Sequence, residues 1–410
     1  MISVTRQPTG AATPTGTGRA TWHRRAGAVP VAYLLAIVGV GFAHPFLPAW
    51  QWLVIHLLLL GAATNAILVW STHFAAAVLR VPAPTSRRAE AARLVALNVG
   101  VVAVLVGGTT GPVWLALAGA AVVFAALVAH LWALAARLRH ALPARFAVTV
   151  RYYLAAGMAL LVGVPVGAWM LVLDDARRPR LLLFHAHVNL LGWITLTVLG
   201  TLLTLWPTVL RTRMADGAAT AATRALPPVV AGLALLGTGL LAWWPLVAVA
   251  GLAVFAVGAG IGAVPGIVAA RQRPPASFAT WSIACGTGWL AVALAMDAVT
   301  LLTARTATDA ADAFGTVLVP FLAGFVGQVL VGALSYLLPM ALGGGPAAVR
   351  ERAATLDRYW SQRVTMGNLA LVVFLLPVPP YVRITTSMLV LVALIQFLVP
   401  AVRVLSTHRR

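Results

Sequence analysis

Runs of about 20 apolar residues, each long enough to cross a ~30 Å hydrocarbon core, recur along the chain and are separated by short polar breaks. They fall at residues 29–47, 51–79, 90–108, 112–138, 148–173, 181–206, 227–243, 246–270, 278–303, 314–340, 363–379 and 381–404. The pattern predicts an all-α polytopic membrane bundle of twelve transmembrane helices. Its weakest division lies at Trp243, Trp244 and Pro245, where an aromatic and proline turn splits one long apolar run. The breaks are too short for a separate soluble domain, so residues 28–405 are expected to form a single transmembrane helical domain. Residues 1–27, rich in Thr, Gly, Pro and Arg and without an evident small-residue cleavage site, are expected to be a disordered cytoplasmic tail.

Charge orients these spans. The 410 residues are 61% hydrophobic and 9% charged, with a formal charge of +20, and all 29 basic residues are arginine. Such a balance in a soluble protein would suggest nucleic acid, but here the arginines stand at span ends. With the amino terminus in the cytoplasm, only Arg177, Arg178, Arg180, Arg305 and Arg383 face outward. That asymmetry predicts both termini on the cytoplasmic side of a bacterial plasma membrane. The expected partner is the lipid bilayer, and nucleic acid is discounted. Arginine without lysine, beside many Ala and Gly, suggests a high-GC bacterial genome. The single cysteine, Cys285, excludes an intrachain disulfide, a Cys-rich metal site and covalent C-x-x-C-H haem attachment.

With direction assigned, the histidines acquire depth. His44 closes the first span, His56 lies near the outer end of the second, and His185 and His187 lie within the first two turns of the sixth. These four share one depth. His73 follows His56 by 17 residues, about 25 Å along a helix, so the two cannot share one ligand atom. His130 and His140 lie toward the cytoplasm and His23 and His408 in the tails, and none of these is assigned a role. A histidine near a helix end ordinarily meets water, headgroups or a carbonyl. Clustering favours a shared cofactor site, because intramembrane ionisable residues usually face the bundle interior and neutral imidazole is the commonest metal ligand. On a regular helix, positions i and i+2 point about 200° apart, so His185 and His187 face opposite sides.

The second span contains HLLLLGAATNAILVW and the sixth HVNLLGWITLTVLGTLLTLW, each with a histidine five residues before a glycine, at His56/Gly61 and His187/Gly192. The tenth reads GQVLVGALSYLLP, with Gly327 and Gly332 at that spacing. Gly61, Gly192 and Gly332 are 131 and 140 residues apart, which suggests a threefold repeat of four helices.

Twelve helices in three four-helix arcs, with histidines near the outer face, resemble subunit I of the haem-copper oxidases. HAHVNLLGW resembles the H-x-H-x-x-x-L-G-W run of their C-type branch, and the same run is similar to the H-A-H helix of NnrS-like haem- and copper-containing membrane proteins. Together with HLLLLGAATNAILVWSTHFA it also resembles membrane regions found with copper-oxidase or nitrite-reductase modules in actinobacteria. The resemblance implies that His56 and His187 are the axial pair of a haem b, and that His185 faces a second haem or a metal. Copper is the second expected cofactor, with His185 and His44 as its candidate ligands. The chain departs from the oxidase pattern in three ways: H-x-H lies on the sixth span instead of the tenth, the copper-site histidines are missing, and spans seven to twelve carry no histidine. Reduction of oxygen to water is therefore not expected.

Asp297, in the outer half of the ninth span, is expected to cap the interface beside Thr300 and Thr303, with a proton or metal route to the outer face as the alternative. Thr197, Thr201 and Thr204 are expected to bond to carbonyls of their own helix. Asn65, Asn189, Gln328 and Tyr336 are expected to join helices, and Trp50, Trp52, Trp206, Trp243 and Trp244 to anchor at the interfaces. The functional expectation is a membrane haem b protein, with copper as a further metal, acting in electron transfer or in nitric oxide- or copper-linked redox metabolism beside a copper oxidase or cytochrome partner. The alternatives are a twelve-helix transporter with an outer histidine site and a scaffold for a copper oxidase.

Overall fold

The computed structural model describes residues 16–81, 86–173 and 176–406, which are helical with no strand among them. The helices are α1 Gly16–Ala43, α2 Trp50–Leu79, α3 Arg88–Thr110, α4 Val113–His140, α5 Val148–Met170 and α6 Arg178–Leu210. They continue with α7 Ala218–Ala242, α8 Pro245–Gln272, α9 Phe278–Thr303, α10 Ala307–Leu342, α11 Trp360–Leu375 and α12 Pro380–Ser406. All but α11, which has 16 residues, are long and apolar enough to cross a membrane. A further 13-residue helix, Gly345–Asp357, connects α10 to α11. The protein is thus a polytopic all-α membrane bundle.

Helix ends follow local chemistry. α7 stops at Ala242 because Trp243 takes a left-handed conformation (φ 56°), and Pro245 then opens α8, where its missing N–H has no carbonyl to serve. α11 ends at Leu375 and not at residue 379, because Pro377, Pro379 and Pro380 withdraw donors and push their predecessors out of helical geometry. α1 starts at Gly16 and not at residue 29, so residues 16–27 of the expected tail are helical. Residues 1–15, Asp174, Asp175 and His408 lie outside the described residues.

The repeat is visible in the packing. α3 with α4 and α7 with α8 form tight antiparallel pairs on small-residue seams. A Cβ on Gly100 would lie 2.8 Å from the carbonyl oxygen of Gly119, and one on Gly232 2.7 Å from that of Gly251. Backbones this close gain dispersion contacts that lipid cannot replace.

The more telling sign lies inside α2, α6 and α10. Each contains a π-helical stretch, at Leu57–Ala63, Val188–Thr195 and Pro320–Gly327. The three begin 131 and 132 residues apart. Their fifth residues are Gly61, Gly192 and Gly324, so the third member of the glycine series is Gly324 and not Gly332. Thr64 and Thr195 donate their hydroxyls at 2.8 Å to the carbonyls five residues back, Leu59 and Leu190. Gly327 holds the equivalent place in α10, opposite the carbonyl of Leu322.

Candidate functional site

His56 and His187 are the last α-helical residues before their π-helical stretches, and so occupy equivalent places in α2 and α6. Their surroundings differ. His187 is 1% exposed, its Nδ1–H donates to Leu183 O at 2.6 Å, and its Nε2 lies 2.7 Å from Oδ2 of Asp297 on α9. Its ring leans on Phe314 of α10 with centroids 4.8 Å apart. Asp297 is 0% exposed, and its Oδ1 has no hydrogen-bond partner among the described residues. Asp297 therefore does not cap an interface: it is buried against an imidazole on the neighbouring arc of helices.

His185 faces the other way, as its two-residue offset from His187 within a regular helix requires. Its Nδ1–H donates to Gly163 O of α5 at 2.9 Å, and a Cβ on Gly167 would lie 2.6 Å from its Cε1. Two glycines of α5 thus make the bed for this ring. Asn189 donates to His185 O at 2.7 Å, and its amide lies 3.4 Å from the ring Nε2. Across from His185 stands His56, with ring centroids 6.5 Å apart and planes inclined by 24°. The Nδ1–H of His56 donates to Trp52 O at 2.8 Å, and the ring stacks on the Trp52 indole at 4.1 Å.

The structure therefore joins His56 to His185 and sends His187 to Asp297, whereas the resemblance paired His56 with His187. Both nitrogens of His187 already have protein partners. In His56 and His185 the Nδ1 hydrogen bond to a carbonyl fixes the tautomer with Nε2 as acceptor, which in His185 meets the Asn189 amide at 3.4 Å; protein carbonyls orient metal-binding imidazoles in this way. The separation also suits a metal. Metal–nitrogen bonds of about 2 Å, plus roughly 1 Å from each nitrogen to its ring centre, place two ring centres about 6 Å apart across one ion. His44 bonds through Nδ1 to Gly41 O at 2.8 Å and packs edge-on against Trp50, with centroids 5.2 Å apart. Among the described residues no group of three or more His, Cys, Asp or Glu could hold a metal ion. A centre here would rest on two imidazoles.

Sequence reasoning missed a second aromatic cluster. His23, 2% exposed on α1, stacks on Trp70 of α2 at 5.6 Å and meets His73 edge-on at 5.5 Å. Placing His23 in the tail concealed it, and a start of α1 before residue 29 was the missing signal. Thr197 and Thr201 donate to Trp193 O and Thr197 O of their own helix, each at 2.7 Å, as expected. Trp52 and Trp206 do not both serve as surface anchors: Trp52 covers His56, and Trp206 is 8% exposed with its Nε1–H on Gly266 O.

Fold and site define a multi-pass membrane bundle with one buried histidine contact, His187 to Asp297, and one half-buried contact, His56 to His185. No protein-family model and no curated protein matches the chain.

Proposed function

We propose that the protein is a membrane-embedded redox protein in which His56 and His185 would hold a haem b between α2 and α6, and which passes electrons at the outer face of a bacterial plasma membrane. The observation that carries this reading is the facing pair of imidazoles with centroids 6.5 Å apart, each oriented by a carbonyl on Nδ1. The donor set, two neutral imidazoles, is one that a haem iron would accept. Bound there, a haem would supply one-electron iron chemistry. The residues of this chain orient the ligands: Trp52 and Gly163 set the ring tilts, Trp52 shields one imidazole face, and the apolar surroundings lower the local dielectric.

The arginine asymmetry supports an outer position for the site and cytoplasmic termini. A copper oxidase or a cytochrome fits as electron partner, in line with the resemblance to copper- and nitric oxide-linked membrane proteins. The test is the purified full chain. A pyridine-haemochrome spectrum with about one b-type haem per chain supports the proposal. Absence of a Soret band after expression with haem supply, and after reconstitution, overturns it. Copper bound stoichiometrically without haem would transfer the same histidine pair to a copper centre.

A further inference from the structure

At the arginine-rich end, the connecting helix Gly345–Asp357, the start of α11 and the end of α12 line a half-open cavity of about 870 Å³. Among the described residues that line it are Arg352, Arg358, Arg363 and Arg403 and one acid, Glu351, with Asp357 acting on Arg363 from outside the lining. Its apolar wall includes Met366, Ile395 and Val399. Arg363 is the anomalous member. It is 5% exposed, its guanidinium carbon lies 3.7 Å over the ring of Phe278, and Nη1 donates to Leu356 O at 2.7 Å and to Arg358 O at 3.2 Å. Its Nε and Nη2 have no acceptor among the described residues.

A buried guanidinium with two unsatisfied donors is costly unless an anion completes it. A planar fork of N–H groups matches phosphate oxygens, and the three further arginines supply the charge. The apolar wall is surplus to a free phosphate but suits acyl chains, and basic pockets between membrane helices are sites where acidic lipid headgroups settle. We propose that this cavity is a binding site for one anionic phospholipid, its phosphate on Arg363 and Arg358 and its chains along α11 and α12. The inference is independent of the haem reading.

The test uses the full-length chain, purified in detergent and stripped of lipid, with binding followed by native mass spectrometry and by thermal unfolding. Phosphatidylglycerol, phosphatidylcholine and inorganic phosphate are titrated in parallel. The expected result is binding of phosphatidylglycerol at least tenfold tighter than either of the others. Arg358→Gln is expected to weaken it about fivefold, and Arg363→Gln to abolish it. Should Arg363→Gln fail to fold, the exposed Arg358 variant still decides. Equal binding of phosphatidylcholine, equal stabilisation by inorganic phosphate, or unaltered phosphatidylglycerol binding by Arg358→Gln would each overturn the proposal.

Discussion

His187 of α6 and Asp297 of α9 share a hydrogen bond of 2.7 Å with essentially no solvent at either side chain. It ties the middle helices of the bundle to the last four. A buried pair of this kind costs desolvation on both sides, so its net stabilisation is modest, but removal of one partner strands the other. Asp297→Ala should destabilise the protein by about 3 kcal/mol. The double variant His187→Leu/Asp297→Leu should lose less than the sum of the single substitutions. Chemical or thermal unfolding in detergent measures both, and additive losses would show that the two groups do not act as a unit.

Because the rings of His56 and His185 face each other while His187 is bonded to Asp297, the proposed ligand assignment can be tested by substitution. His56→Ala and His185→Ala should each abolish bound haem, and added imidazole should restore part of the Soret absorbance. His187→Ala should keep haem near stoichiometry in whatever fraction folds. Haem content per folded chain by pyridine haemochrome separates these outcomes. Loss with His187→Ala alone would return the site to the pairing that the family resemblance implied.

The contrast between His56 and His187 shows what can and cannot be read from one chain. Apolar length exposed the twelve helices, eleven of them long and apolar enough to cross a membrane, and Pro245 marked the break after Trp243. The two-residue offset of His185 and His187 was enough to send them to opposite faces. Equal repeat position, however, does not bring His56 and His187 together. In a bundle of successive arcs, equivalent residues line successive interfaces, so His56 meets α6 while His187 meets α9. Nor does a π-helical stretch alter hydropathy, so the register of α10, where Val319 replaces the histidine and Gly324 the glycine, was hidden.

Those stretches make a prediction of their own. A Cβ on Gly61 would come within 2.5 Å of the Tyr33 ring, whereas one on Gly39 of α1 would meet nothing within 4 Å. Gly61→Ala should therefore destabilise by about 2 kcal/mol through overpacking, while Gly39→Ala should lie within about 0.5 kcal/mol of the parent. Similar losses at both sites would indicate that helix propensity, not the α1–α2 approach, sets the cost.

The repeat also predicts matched polar clasps at the two ends of the chain. Asn65 of α2 and Asn98 of α3 exchange side-chain hydrogen bonds of 2.8 and 3.2 Å, and Tyr33 of α1 donates to Asn98 at 2.9 Å. In the last arc, Gln328 of α10 and Asn368 of α11 exchange bonds of 2.9 and 3.1 Å, and Trp289 of α9 donates to Asn368 at 2.6 Å. Both central asparagines also donate to the carbonyl four residues back, Leu94 and Val364. Asn65 and Gln328 stood out in the sequence as polar residues in apolar spans, but their partners came only with the fold. Replacing Asn98 or Asn368 by leucine strands an amide and a Tyr or Trp donor in a medium without water. Each should cost about 2–3 kcal/mol, and the two costs should agree within a factor of two because the geometries correspond. Asn368→Leu bears the sharper test, since α11 is the shortest of the twelve helices and has the fewest other contacts to hold it. Its loss should appear as earlier proteolysis at the α11–α12 turn, ahead of global unfolding. Intact protection there would mean that lipid packing, and not the amide clasp, secures the last pair of helices.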